Sequence, residues 1–253
     1  MDDPRTLFDL TGRVACITGA SSGLGRQVAR TLAAAGARVV GVARRGDALA
    51  QMQAEIGEDA EAVIADVADR AGIGGLVQVI NSKFGAPDIL VHAAGVNTRE
   101  AADEVTPDGW DATLALNLSA PFFLSQAMVP EMKKKGWGRI VNFASLQTTR
   151  AFPGGIAYGA TKAGIAQLTR AMAEAWSPFG ITANAIGPGF FPTELTGPVF
   201  ANEELAAKNA AQTCIGRNGT MEDMDGPLLF LCSDASAYVT GQILMVDGGF
   251  TAK

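Results

Sequence analysis

"RVACITGASSGLGRQVARTLAAAGARVVGVARR", Arg13 to Arg45, is the stretch on which the fold turns. It opens with an apolar run rich in β-branched residues, stopped by Gly19. Helical spacing follows from about Gly25 to a glycine stop at Gly36. A second apolar run, "RVVGVAR", begins at Arg38. Both runs are continuous rather than alternating, as expected of strands buried on two faces. Strand, glycine loop, helix and strand in this order predict a β-α-β unit with parallel strands.

The same alternation repeats along the chain. "EAVIAD", "DILVHAAG", "GRIVNFAS", "ITANAIGPG" and "GQILMVDGG" read as five further strands. Helical segments separate them, including one long stretch from about Asp108 to Lys134 and a second in "GIAYGATKAGIAQLTRAMAEAW". The predicted fold is α/β, a Rossmann-type doubly wound parallel sheet with helices on both faces. Neither linker nor repeat interrupts it, so residues 1–253 are expected to form a single domain. About Gly189 to Asn218 lacks clear periodicity, and a segment of that kind in a compact domain is expected to serve as a lid over the substrate.

Composition narrows the function. Of 253 residues 48% are hydrophobic and 18% charged, which suits a large core. The formal charge is -6, and the "KKK" of Lys133 to Lys135 reads as a helix end favoured by the dipole. Nucleic acid is therefore not an expected partner. Cys16, Cys214 and Cys232 lack metal-like or paired spacing and read as buried reduced thiols, so no metal site is expected. The acidic start "MDDPRTLFDL" does not read as a signal peptide, and no apolar run reads as membrane-spanning. A cytoplasmic protein without a membrane partner is the expectation.

The loop "TGASSGLG" carries the first chemistry. Gly19 allows a sharp exit from the strand, Gly23 lets backbone approach a pyrophosphate, and Gly25 lets the helix pack on the sheet. Ser21, Ser22 and Leu24 complete a loop that feeds a helix N-terminus, where free N–H groups meet phosphates. An acid at the end of the second strand would favour NAD(H); Ala43 stands there, followed by Arg44 and Arg45. Guanidinium forks suit a phosphate, so NADP(H) is the favoured cofactor, with NAD(H) admitted. Asp66, followed by Val67, ends the third strand where it would face an adenine or cap a helix.

"AYGATKAG", Ala157 to Gly164, carries the second. Tyr158 and Lys162 lie four residues apart on one helical face, among small neighbours that admit another molecule. An ammonium beside a phenol lowers its pKa.

Together with "AAG" at Ala93 to Gly95, the Asn of "LNLS", the Ser of "NFAS" and "GPG", these motifs resemble the short-chain dehydrogenase/reductase family over nearly the whole chain. The resemblance implies a catalytic tetrad of Asn117, Ser145, Tyr158 and Lys162. Tyr158 would be the general acid or base, Lys162 would lower its pKa and hold the ribose, Ser145 would steady the substrate oxygen, and Asn117 would anchor a relay water. It also places Ala93, Ala94, Gly95, Pro188, Gly189 and Thr193 at the cofactor and implies a homotetramer. His92 and Ala93 stand where the family usually has "NN", and His92 reads as structural.

A pocket for a small-molecule substrate is expected from Asn97 and Arg99, Leu146 and Gln147, and Phe190 and Phe191. Arg99 would pair with a carboxylate and the phenylalanines would tolerate hydrophobic ketones. "SLQTTRAFPGGIAYGATK" resembles gluconate 5-dehydrogenase-like members, which implies a secondary alcohol or ketone such as a sugar acid or polyol as substrate. The alternatives are a 3-oxoacyl carrier-protein reductase, a broad carbonyl reductase, or an inactive nucleotide sensor.

Overall fold

The first β-α-β unit forms as its sequence reads. In the computed structural model, which describes residues 3–253, β1 (Val14–Thr18) leads through the glycine loop into α1 (Gly23–Ala34) and returns in β2 (Arg38–Ala43). Val28, Ala29 and Leu32 of α1 recur at helical spacing and are buried against the sheet. A side chain at Gly25 would put Cβ 2.3 Å from the Gly19 carbonyl oxygen, so only glycine lets α1 start this close to β1.

The chain continues through α2 (Gly46–Ile56), β3 (Ala60–Ile64), α3 (Ile73–Phe84) and β4 (Ile89–His92). Next come α4 (Pro107–Leu114), α5 (Ala120–Lys135), β5 (Gly138–Phe143), α6 (Ile156–Trp176) and β6 (Ile181–Pro188). The last elements are α7 (Gly197–Phe200), α8 (Glu203–Gln212), α9 (Asp225–Cys232) and β7 (Ile243–Val246). The seven strands form one parallel sheet in the order β3-β2-β1-β4-β5-β6-β7. The strand order reverses between β1 and β4, which opens a crevice beyond their carboxyl ends.

The core explains the missing alternation. Ala15 and Ile17 of β1 pack on one face with Leu32, Leu49 and Leu228, while Val14 and Cys16 pack on the other with Leu76, Leu124 and Met132. Both faces are covered, so every β1 residue is apolar or bonded.

Four sequence expectations need correction. The long helix from Asp108 is not uniform: a π turn, Ala115–Ser119, separates α4 from α5. Segment 189–218 is not aperiodic, because it holds α7 and α8. Asn202 caps α8 by accepting the Leu205 N–H at 3.0 Å, and its buried residue is Asn209, so no apolar stripe announces it. Cys16 and Cys232 are buried as expected, whereas Cys214 is exposed, in the stretch that follows α8. Finally, the 29-residue helical stretch Pro107–Lys135 is long and apolar enough to cross a membrane, because the window Ala112 to Val129 holds no charge and reaches a mean hydropathy of 1.3. Here Leu124, Met128, Val129 and Met132 turn this stretch onto the sheet.

Candidate active site

One cavity of about 770 Å³ fills the crevice at the strand ends. Apart from Asn117, every site residue expected from the sequence lines it. At one end lie the glycine loop, Arg44, Arg45 and Asp66; at the other lie Ser145, Tyr158 and Lys162.

The dinucleotide end is built by the loop after β1. Gly19 sits at φ +73° with its α-carbon face against Ala94, where a Cβ would be 2.7 Å from the Ala94 nitrogen. Ser22 is the N-cap of α1 but makes no side-chain cap bond, which leaves the first N–H groups of the helix open toward the cavity. Its hydroxyl instead accepts from Arg45 Nη2 at 2.6 Å and donates to Glu194 at 3.2 Å. Arg45 also donates to Glu194 at 2.9 Å and to Ser21 at 3.1 Å. Arg44 stays 74% exposed with Asp66 at 3.8 Å. Asp66 accepts the Ala68 N–H at 2.9 Å, an Asx-turn that fixes its carboxylate at the end of β3. An uncapped helix N-terminus, two guanidinium groups and an acid spaced along one crevice fit a phosphorylated dinucleotide. Thr193 closes over this end, its methyl 3.3 Å from where a Gly23 Cβ would be.

The chemical end is built on α6. Ser145 caps a short turn, its hydroxyl accepting the Gln147 N–H at 3.1 Å while its own N–H reaches Thr148 at 3.2 Å. Lys162 is buried and donates to the Phe143 carbonyl at 2.6 Å, with Nζ 5.4 Å from the Tyr158 ring centre. Burial holds its ammonium down to about 8. The Tyr158 phenol is raised above its ordinary value, chiefly by burial, with the Ser145 hydroxyl and the Arg99 charge pulling it down. Sequence reasoning expected Lys162 to lower this phenol. In this structure burial outweighs every charge around it, and the Lys162 ammonium is directed at Phe143.

Asn117 lies behind the cavity, 1% exposed, in the π turn. It donates to the Val96 carbonyl at 2.8 Å and accepts the Val96 N–H at 2.9 Å. It also donates to Thr161, which in turn donates to the Tyr158 carbonyl at 2.7 Å. The side chain thus joins the loop after β4 to the helix carrying Tyr158. The π turn is the local distortion that points it there. His92 is buried and bonds Ser125 on α5 at 2.8 Å, tying sheet to helix as a structural residue would.

The substrate end departs from expectation in detail. Arg99 adopts φ +57° and donates to the Leu195 carbonyl at 2.6 Å. Phe191 is 2% exposed and turns into the core, so of the two expected phenylalanines Phe190 presents the larger open ring. Glu194 and Phe152 also line the cavity; neither was singled out from the sequence, although Phe152 lies within "SLQTTRAFPGGIAYGATK".

Continuous matching follows the same limits as the fold. The family model described as "Enoyl-(Acyl carrier protein) reductase" matches residues 19–251. The chain belongs to the short-chain dehydrogenase/reductase family. It is 39% identical over 250 residues to gluconate 5-dehydrogenase of Gluconobacter oxydans (strain 621H), covering 98% of each chain. It is 37% identical to 2-dehydro-3-deoxy-D-gluconate 5-dehydrogenase of Dickeya dadantii (strain 3937), covering 97% of this chain and 98% of the relative. Among solved structures, a gluconate 5-dehydrogenase from Burkholderia cenocepacia J2315 in complex with NADP and tartrate superposes with a TM-score of 0.92 at 37% identity, covering 98% of both chains.

Proposed function

We propose that the protein is an NADP(H)-dependent oxidoreductase that interconverts a secondary alcohol and a ketone on a small hydroxy or keto acid of the sugar-acid class. The observation that carries this reading is one crevice with a phosphate-binding loop and two arginines at one end and Ser145, Tyr158 and Lys162 at the other. The names of the relatives support the sugar acid, and the NADP in the Burkholderia structure supports the cofactor. Gly19, Ser21 to Gly25, Arg44 and Arg45 would hold the phosphates, and Asp66 and Val67 the adenine side. Ala93 to Gly95, Pro188, Gly189 and Thr193 would hold the nicotinamide side.

NADP(H) supplies the hydride. Tyr158 gives its phenolic proton to the substrate oxygen during reduction and takes it back during oxidation. Ser145 hydrogen-bonds the same oxygen as charge develops on it. Lys162 orients the site and Asn117 holds Tyr158 in place through Thr161. Asn97, Arg99, Leu146, Gln147 and Phe190 frame the substrate, with Phe191 turned into the core and Arg99 facing the substrate carboxylate. Segment 189–218 acts as the lid of the single domain. The partly buried Leu116 of the π turn and Phe122 and Phe123 of α5 leave some apolar surface that supports a homotetramer, which light scattering would measure. A cytoplasmic location agrees with the reduced cysteines of the sequence.

Tyr158→Phe removes only the titrating hydroxyl. Turnover of 5-ketogluconate with NADPH is expected to fall at least a thousandfold while NADPH still quenches protein fluorescence with unchanged affinity. Activity within tenfold of the parent overturns the assignment. NADPH binding without turnover of any ketone by the parent would identify a nucleotide sensor instead.

A further inference from the structure

Helix α8 turns one polar side chain into the cavity. Leu205 and Asn209 lie four residues apart on one face of the helix, and both line the cavity. Leu205 is 38% exposed, whereas Asn209 is only 6% exposed. A buried position on such a face is ordinarily apolar. Here it carries an amide, with two N–H donors and a carbonyl acceptor, and among the described residues that amide has no hydrogen-bond partner. Other polar side chains around α8 do find protein partners. Asn218 donates to the Ala206 carbonyl at 3.0 Å, Thr213 donates to the Ala210 carbonyl at 2.8 Å, and Asn202 caps the helix. Asn209 is the exception, and it is the one that faces the cavity.

Buried amides in folded proteins are bonded, and one left open costs stability and helix propensity together. Such a group is matched by a ligand that brings its own donor and acceptor. A hydroxyl has both. An alkyl arm has neither, and a carboxylate only accepts and already has Arg99 in the same cavity. The rings nearby cannot serve a hydroxyl: Phe152 and Phe190 stand edge to face at 6.3 Å with Phe250 against both, and burying a hydroxyl there would cost hydrogen bonds. Gln147 is a second cavity amide with spare capacity. Its Oε1 is buried without a partner against Gly155, where a Cβ would come within 2.1 Å. The cavity thus holds more hydrogen-bonding capacity than the protein itself uses.

We infer that Asn209 is a specificity-determining residue that bonds a hydroxyl on the substrate arm, so that the site selects polyhydroxylated acids over deoxy acids of the same length and charge. The inference deepens the proposed sugar-acid reading and rests on it for the reaction, while the unpartnered amide carries the selectivity.

The test compares gluconate with hexanoate, six-carbon acids that share the carboxylate and differ in their hydroxyls. Calorimetry uses the full-length protein loaded with NADPH, so that neither acid can be oxidised. Asn209→Leu is expected to lower the gluconate-to-hexanoate affinity ratio at least tenfold, with hexanoate itself changing less than threefold. Asn209→Ser keeps a hydroxyl and should retain part of the ratio. The thermal midpoint of ligand-free Asn209→Leu should stay level or rise, because the amide it removes has no protein partner. A structural role would instead lower the midpoint and weaken both acids alike. In turnover, Asn209→Leu should raise KM for 5-ketogluconate at least tenfold while kcat falls less than threefold. Asn209→Ala reads the same ratio should leucine not be accommodated. An unmoved ratio in an enzyme that reduces 5-ketogluconate overturns the inference, and so does a parent protein that does not bind gluconate. Absence of turnover with the shift in ratio intact would instead remove the proposed function and keep the role of Asn209.

Discussion

Arg45 decides how the NADP(H) reading is tested, because in the structure its guanidinium already has a carboxylate partner. It pairs with Glu194 at 2.9 Å, with side chains 51% and 64% exposed. An exposed pair of this kind contributes about 0.2–1 kcal/mol. A charge-assisted bond from the same guanidinium to a phosphate contributes roughly 1.5–3 kcal/mol. The phosphate therefore wins Arg45 from Glu194, but binding is weakened by the pair it breaks. Glu194→Gln is expected to tighten NADPH by up to about fivefold, the factor that the upper end of that range, about 1 kcal/mol, converts to. Arg45→Ala is expected to weaken NADPH at least tenfold and NADH less than threefold. In Arg45→Ala the Glu194→Gln gain should disappear, since the two residues act through one contact. Fluorescence titration of both cofactors at low and high salt measures all of this, and the Glu194→Gln gain should shrink with salt. Equal weakening of NADH and NADPH by Arg45→Ala would refute the reasoning, as would looser NADPH binding in Glu194→Gln.

Three further outcomes follow from buried groups and from the pocket. Lys162 is held down from 10.5 to about 8, so its charge penalises the fold below that pH and the penalty lifts as pH rises toward 10.5. Lys162→Met should thus raise the thermal midpoint at pH 7 by several degrees, from roughly 3 kcal/mol less about 1 kcal/mol for the lost Phe143 bond, while turnover collapses; a lower midpoint would contradict this. Burial holds His92 down to about 3, so stability should fall as pH drops below about 6.5, by up to about 1.4 kcal/mol per pH unit. His92→Asn should flatten that slope in urea midpoints compared at pH 7 and pH 5. Arg99→Ala should raise KM for 5-ketogluconate at least tenfold and hardly change it for neutral ketones, and an equal rise for both would remove the carboxylate contact.

The central strands were legible because a parallel strand covered on both faces reads as a mostly apolar run, and "VACIT" and "ILVH" have few other solutions; the edge strands β3 and β7 are only partly buried and were read from short apolar runs ended by turn residues. The glycine loop was legible for a related reason: Gly19 and Gly25 stand where backbone meets backbone, and a side chain at either would collide with it. What escaped reading depends on contacts between distant segments. The π turn at Ala115–Ser119 leaves no mark in hydrophobic spacing, yet it aims Asn117 at Val96. Helix α8 is mostly exposed and so has no apolar stripe. Glu194 acquires meaning only when the segment after β6 folds across to Arg45, and Phe152, Phe190 and Phe250 are joined by no local pattern at all.

Segment 189–218 is tied at both ends of the cavity by adjacent residues. Glu194 reaches Arg45 and Ser22 beside the glycine loop, and the Leu195 carbonyl accepts from Arg99 beside the substrate end. Each tie uses a cation that the proposed ligands also need: Arg45 for a phosphate, Arg99 for a carboxylate. Both ties are exposed, so neither is costly to break. Arg99 donates from a left-handed backbone position, φ +57°, which a non-glycine residue adopts at some cost and which aims it at the lid. A cofactor phosphate that claims Arg45 would release Glu194, whose chain neighbour Leu195 carries the Arg99 tie. Arg99 then becomes the easier partner for an entering acid. On this arrangement the two contacts would couple the two proposed binding events through the neighbouring residues Glu194 and Leu195.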